Sequence, residues 1–366
     1  MTKDAMKIIQ DAIQAVDPYK VIESNIVREN NILNFKKENL QFDLSKDYDE
    51  IVVVAFGKAS SAMSTSVLQQ VFPKDCEDIG TSCKGVVICK DGHVTESEKE
   101  ILTSHGVEIF EASHPVPDQR SVEAADRLIQ MVSSAASERT LVICCISGGG
   151  SALFCRPSHP LTLDDLQQVN SILLASGMGI QEMNVLRKRL EDGKGGRLAA
   201  SCFPSDVVAL ILSDVIGDPL DLIASGPTVP DQSDWEAGWS IVQKYNLEEE
   251  LPASVIEVLQ KGLKGELEDS PSSNHASFDK STNLLVGNND LAVEAASNTA
   301  KTLGYQPVVL GTEIEGEAKE VAKIYTAMSS YLQKVSGTAA PYAVAKSLPV
   351  ALIAGGGTSL WAFTIH

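Results

Sequence analysis

Short apolar runs bounded by glycine, proline and small polar residues alternate along the chain with longer stretches in which apolar positions return with helical period. The short runs have the signature of strands, the longer ones that of helices packed on one face. Strands are expected at Ile51–Phe56, Gly85–Cys89, Val107–Phe110, Thr140–Ile146, Val207–Leu212, Asn283–Gly287, Gln306–Leu310 and Pro349–Ala354. Helices are expected at Ile8–Val16, Ala59–Val71, Val122–Ser134, Leu163–Ala175, Asp290–Leu303 and Glu315–Val335. Alternation of this kind predicts an α/β fold with a mostly parallel sheet. No internal repeat is evident.

At 366 residues, 43% of them hydrophobic, the chain exceeds the size at which one core usually keeps growing, so two domains are expected. The seam falls between Gly262 and Ser281, a polar stretch containing Ser-Pro-Ser-Ser-Asn-His, with the composition of a linker. This divides the chain into an N-terminal domain over 1–262, a linker over 263–281 and a second α/β domain over 282–366.

Composition narrows the function. With 30 basic against 49 acidic residues the formal charge is −19, which repels a polyanionic backbone and argues against nucleic acid as a partner. A locally basic, glycine-lined cleft could still hold a small anion. The seven cysteines form no C-x-x-C pair and have no histidines at metal-ligand spacing; Cys89, Cys144 and Cys145 lie in apolar runs as small buried hydrophobes. A reducing compartment fits, and with neither a signal-like amino terminus nor a membrane-length apolar run, a cytoplasmic location is the expectation.

Candidate chemistry sits just past the strands, where open parallel sheets bind ligands. The run Leu141–Ile146 leads into Ser147-Gly148-Gly149-Gly150-Ser151, a turn without Cβ atoms where backbone N–H groups can converge on phosphate. Gly57-Lys58 follows the first strand and puts an ammonium at a helix start. Lys90 and His93 end the next strand, and His114 lies in the proline-stiffened loop His114-Pro115-Val116-Pro117-Asp118. Beyond Val207–Leu212 comes Ser213-Asp214-Val215-Ile216-Gly217-Asp218-Pro219. Asp214, and after it Asp218, could ligate Mg²⁺ or accept a proton from an alcohol, although aspartate in a Gly-Asp-Pro turn often only caps its own backbone. Glu182, Asn184, Arg187 and Lys188 crowd one helical turn, followed by Gly193-Lys194-Gly195-Gly196, where glycines permit close approach to a ligand and an arginine can grip a carboxylate. No G-x-x-x-x-G-K-[ST] occurs, and Leu153 takes the last glycine position of G-x-G-x-x-G, which excludes a P-loop and disfavours a dinucleotide site.

Taken in order, Gly57-Lys58-Ala59, His114 to Asp118, Ser147 to Leu153, Glu182-x-Asn184-x-x-Arg187-Lys188, Lys194-Gly195-Gly196-x-Leu198-Ala199, Ser213 to Asp218 and Ala224-Ser225-Gly226-Pro227-Thr228 resemble glycerate kinase of the glycerate 2-kinase (MOFRL) type, over about Ala5 to Gly356. The resemblance implies a Rossmann-like α/β/α domain, a smaller second domain, and phosphorylation of D-glycerate by ATP with Mg²⁺, usually at the 2-hydroxyl, within serine and glycerate metabolism. It places the family's key lysine on Lys58, its phosphate segment on Ser147 to Ser151 with Lys194, its basic helix on Arg187, and its acidic motif on Asp214 and Asp218. Lys90, His114, Glu182 and Asn184 are the candidate substrate residues.

The chain departs from the family after Ala354: the Gly-Gly-Glu turn, the Gly-Gly-Arg-Asn-Gln-Glu motif and the Thr-Asp-Gly-x-Asp-Gly-Pro segment do not follow. A truncated second domain is therefore expected, as from a splice variant or partial sequence, with impaired catalysis. Its Pro349–Ala354 strand would have an unpaired edge and an uncovered apolar face, inviting association into a homo-oligomer. The rival readings are a nucleotide- or glycerate-binding fragment without activity and, from another class, a hydroxypyruvate reductase.

Overall fold

The computed structural model describes residues 2–73, 80–335, 349–357 and 364–365. Cys76 and most of the Thr358–His366 ending lie outside them. The chain begins with α1 (Thr2–Ala15), α2 (Pro18–Asn25) and a small antiparallel sheet of β1 (Ile26–Glu29), β2 (Ile32–Phe35) and β3 (Leu40–Asp43). There follow β4 (Glu50–Phe56), α3 (Ser60–Val71), β5 (Ser82–Lys90), α4 (Glu96–Ser104), β6 (Val107–Ala112), α5 (Gln119–Ala135) and β7 (Thr140–Ser147). Next come α6 (Gly150–Leu153), α7 (Leu163–Ala175), α8 (Ile180–Leu190), α9 (Arg197–Cys202), β8 (Asp206–Leu212), α10 (Trp235–Lys244) and α11 (Ala253–Leu263). The remainder is β9 (Ser281–Gly287), α12 (Asn289–Thr302), β10 (Gln306–Ile314), α13 (Ala318–Val335), β11 (Val350–Gly356) and β12 (Thr364–Ile365).

The fold is α/β, and its main sheet has six strands in the order β6-β5-β4-β7-β8-β9. The pairs β4–β5, β4–β7, β5–β6 and β7–β8 are all parallel, with Phe56 opposite both Ile88 and Ile146. Every residue of β7 is buried, as is β4 from Ile51 to Phe56, because parallel central strands are covered on both faces and so read as unbroken apolar runs. The chain builds outward from β4 through β5 to β6, returns to β7 and builds the other way through β8 to β9. The direction of winding therefore reverses between β4 and β7.

Helix starts follow local chemistry. Thr162 and Asp165 form a capping box that sets the first residue of α7, and Asp118 with Ser121 does the same for α5. A helical subcore unites α7, α8, α10 and α11 through Leu166, Leu173, Leu186, Leu190, Trp235, Val242 and Leu259.

Two compact units divide the chain, and neither is continuous in sequence. One comprises Ile22–Leu212 and Pro219–Val286; the other comprises Met1–Val21, Ser213–Asp218 and Gly287–His366. In the second, Ile8 and Ala12 of α1 pack against Ala292, Val293, Ala296 and Ala300 of α12, and Asp11 accepts a hydrogen bond from the Thr299 hydroxyl at 2.9 Å. The strand Ser281–Gly287, expected to open a second domain, is the edge strand of the six-stranded sheet beside β8. The polar stretch before it is tied down: Arg189 donates to Ser270 Oγ at 3.0 Å, and Asp231 N–H donates to Pro271 O at 3.1 Å.

The expected bare strand at Pro349–Ala354 is corrected by the structure. β11 pairs in parallel with β10 and antiparallel with β12, so it is the middle strand of three. Ala351 and Ile353 are buried in the α1–α12 cluster, and Val350 and Leu352 pack with Leu332 of α13. Local pattern alone could not show that α1, from the far end of the sequence, helps cover this strand.

Gly262 lets the end of α11 lie on the Trp235 indole, because a Cβ there would come within 2.1 Å of the ring. Gly262→Ala should therefore lower unfolding free energy by about 1–3 kcal/mol, read as a shift in the urea midpoint at constant slope.

Candidate active site

Ligands of open α/β sheets bind beyond the carboxyl ends of the strands where winding reverses. Here that crevice lies between Gly57-Lys58, leaving β4, and Ser147–Gly150, leaving β7. The two loops are held together by one backbone bond and one to a side chain: Lys58 N–H donates to Gly148 O at 2.9 Å and Ala59 N–H to the Ser147 hydroxyl oxygen at 3.0 Å. Such contact requires glycine. Gly57 has φ of +127°, and a Cβ on it would meet Ser147 Oγ at 2.2 Å. Gly149 has φ of +84°, and its Cβ would come within 2.8 Å of the His114 ring and 3.4 Å of Lys58 Cγ. Lys58, His114 and the triple-glycine turn, singled out separately in the sequence, thus meet at one point.

Gly150 begins the single-turn helix α6, whose first N–H groups have no acceptor within the helix. Stacked Phe56 and Phe154 rings, with centroids 4.5 Å apart, lie beneath this turn, and a Cβ on Gly150 would approach Phe56 at 3.1 Å. On the other side lies Ala224-Ser225-Gly226, with three successive left-handed residues at φ of 50°, 62° and 64°. For the alanine and serine this costs on the order of 1–3 kcal/mol each. The strained segment is held by Gly195 N–H to Ser225 O and Gly196 N–H to Gly226 O, at 3.0 and 2.7 Å. The buried Ser225 hydroxyl lies 3.1 Å from Ser151 Oγ and donates to Asn184 Oδ1 at 3.2 Å.

These elements wall a cavity of about 450 Å³ lined by residues that include His114, Gly149, Ser151, Asn170, Arg187, Glu191 and Lys194. Arg187 is oriented by two amides, Nε to Asn170 Oδ1 at 2.9 Å and Nη1 to Asn184 Oδ1 at 3.3 Å. Burial lowers its pKa from the ordinary arginine value against the opposing Glu191 charge, yet a guanidinium stays charged, so an anion reaching it is favoured. Lys194, 1% exposed, donates to Ser151 O at 2.8 Å and pairs with buried Glu191 at 2.5 Å. It therefore braces the triple-glycine turn through a carbonyl, with its charge offset by a neighbour.

The remaining candidates have partners of their own. Lys90 ends β5, and the nearby His93 ring lies 3.2 Å from Lys58 O. Glu182 bonds Lys244 at 2.6 Å and Tyr245 at 2.7 Å, which hold its carboxyl below the ordinary glutamate range and join α8 to α10. Asp214 and Asp218 belong to the Ser213–Asp218 segment of the other unit. There Asp218, at φ of 52°, accepts from Asn288 Nδ2 at 2.6 Å, and Asn288 also caps α12. Among the described residues no three His, Cys, Asp or Glu side chains converge as a metal-binding group. Burial pushes the Cys89 thiol up to about 12, in keeping with an inert core residue.

Sequence reasoning missed Glu191 and Asn170, and it named Ser225 only within a motif, without a role. The i,i+3 spacing of Glu191 and Lys194 was a readable signal; the left-handed backbone that presents Ser225 was not.

The fold and site define a Rossmann-like α/β protein with a glycine-built turn at its topological switch point. The chain belongs to the glycerate kinase family of the glycerate 2-kinase (MOFRL) type: residues 4–260 match the family described as "Domain of unknown function (DUF4147)". A glycerate kinase from Danio rerio is 36% identical over 89% of this chain and 64% of its own length, so this chain spans less than two thirds of that relative. An Agrobacterium vitis protein with a provisional hydroxypyruvate reductase name is 38% identical, covering 84% of this chain and 72% of its own. The crystal structure of Thermotoga maritima glycerate kinase superposes with a TM-score of 0.73 at 31% identity, covering 97% of this chain and 73% of that one. No helix among the described residues is long and apolar enough to cross a membrane.

The basic helix α8 is anchored by a buried ion pair, Arg189 Nη1 to Asp231 Oδ2 at 2.6 Å. Burial raises the Asp231 pKa, but the Arg189 hydrogen bond and charge outweigh it and leave the carboxyl below its ordinary 3.8. A depressed folded pKa contributes stability that is full above the unfolded value and fades as pH falls through the folded one. Asp231→Asn should cost about 3–5 kcal/mol at neutral pH and flatten the loss of stability below about pH 4, measured by denaturant titration across pH.

Proposed function

We propose that this chain phosphorylates D-glycerate with ATP, giving phosphoglycerate, with the 2-hydroxyl as acceptor. The observation that carries the proposal is the meeting of Lys58, His114 and Gly149 at the reversal between β4 and β7. Membership of the glycerate kinase family supports the same reading.

In this mechanism the backbone amides of Gly148 to Ser151 hold ATP phosphates. Lys58 and Arg187 offset the charge that spreads over the transferring group, so positioning and electrostatics supply most of the rate. His114 and Asn184 orient the acid, and Asp214 takes the hydroxyl proton. A magnesium ion, which takes one or two carboxylates and completes its shell with phosphate oxygens and water, suits Asp214 and Asp218 as hard oxygen donors on one loop. When bound it would neutralise phosphate charge.

Hydroxypyruvate reduction is the second reading, favoured only by the name of the Agrobacterium vitis relative. It lacks a dinucleotide fingerprint here, because Leu153 and not glycine closes the turn. Glycerate-dependent ADP release without NADH oxidation on hydroxypyruvate decides for the kinase; ATP binding without ADP release would mark a binding protein.

Lys58→Ala should lower kcat/KM roughly 10²–10³-fold, as loss of a preorganised charge does, with an unchanged circular dichroism spectrum. Unchanged turnover in a folded variant would remove Lys58 from the mechanism. Arg187→Lys should also lose activity, because an ammonium cannot reproduce two hydrogen bonds from one rigid plane.

A further inference from the structure

The cavity beside the phosphate turn has two contrasting sides. Its floor is polar, with Gly149, Ser151, Arg187 and the paired Lys194 and Glu191; its lip is apolar, with Pro115, Val116, Pro117 and Leu174. Two of the lip residues are large hydrophobes left open, Val116 at 56% and Leu174 at 69% exposed. Val116 lies in the loop between β6 and α5, and Leu174 on the last turn of α7. Gln167 fixes one to the other, since its Nε2 donates to Pro117 O at 2.7 Å across the two elements.

Size decides what such a cavity takes. Its volume of about 450 Å³ falls in the range of roughly 300–1,000 Å³ typical for whole small-molecule ligands. A three-carbon acid would leave most of it to water and would gain nothing from an apolar lip. A nucleotide matches both sides, with its phosphates on the floor and its flat base against the lip. The Gln167 side-chain oxygen is an acceptor suited to the exocyclic amine of a purine.

Resting on the kinase reading, we infer that Val116 and Leu174 form the nucleobase subsite, so that the base lies on the apolar lip and the phosphates reach the floor, where the acid must meet them. Neither residue was singled out by the sequence, and neither is part of the charged machinery. Because both are exposed, polar replacements leave the core untouched.

The test is calorimetric binding of ATP and of inorganic tripolyphosphate to the full chain and to Val116→Asn and Leu174→Asn, with KM for D-glycerate measured alongside. The expected result is ATP binding weakened roughly tenfold or more in the double variant, with tripolyphosphate binding and KM for glycerate unchanged. Leu174→Phe should keep or tighten ATP binding. ATP binding equal to that of the unmodified chain, equal losses for ATP and tripolyphosphate, or a rise only in KM for glycerate would each overturn the inference while leaving the kinase reading in place. An unmodified chain that binds no ATP would overturn both.

Discussion

The site depends on how closely two loops approach where the central strands β4 and β7 end. Glycine makes that approach possible: at Gly57 and Gly149 any Cβ would collide with Ser147 in the first case and with His114 in the second. The backbone bond from Lys58 to Gly148 and the bond from the Ala59 N–H to the Ser147 hydroxyl then fix the gap. A lysine on one loop and a cradle of amides on the other are held in register by main chain, which bends less readily than a pair of long side chains. The strained Ala224-Ser225-Gly226 segment fits this account, because it closes the far side of the turn and is itself pinned by two backbone bonds to Gly195 and Gly196.

Charge around the turn is distributed unequally, and the inequality separates bracing from binding. Arg189 is cancelled by Asp231 and Lys194 by Glu191, both inside the protein, where an unpaired charge would be costly. Arg187 is instead held by two amide oxygens, which orient a guanidinium without cancelling it. A cation that is oriented but not neutralised at a cavity wall favours an incoming anion. Lys194, expected at the phosphate segment, lines the same cavity and also donates to Ser151 O, which ties it to the triple-glycine turn.

All eight strands read from the sequence exist, since each is an apolar run between turn residues and that signal is local. The six expected helices also appear, and Leu163–Ala175 matches to the residue because Thr162 and Asp165 cap it unambiguously. The three short strands between Ile26 and Asp43 escaped notice, being too brief and too polar to show a period. Partnership was harder to read than existence. That Ile8 of α1 packs with α12, or that Ser281–Gly287 lies beside β8, depends on contacts far apart in sequence. At the site, residue types with unusual neighbours were legible, such as Lys58 after Gly57; Ser225 was visible as part of a motif, but its placement was not, because it follows from left-handed backbone in non-glycine residues.

An anion site in a chain of formal charge −19 poses no contradiction. At physiological ionic strength charges are screened over about 8 Å, so a small ligand inside the cavity responds to Arg187 and Lys58 and hardly to the distant acidic surface. A polyanion has no such shelter, because its backbone must lie along that surface and meet its charge directly. The acidic exterior and the cationic pocket thus act on different ligands: the first repels a long polyanion, and the second favours a small anion.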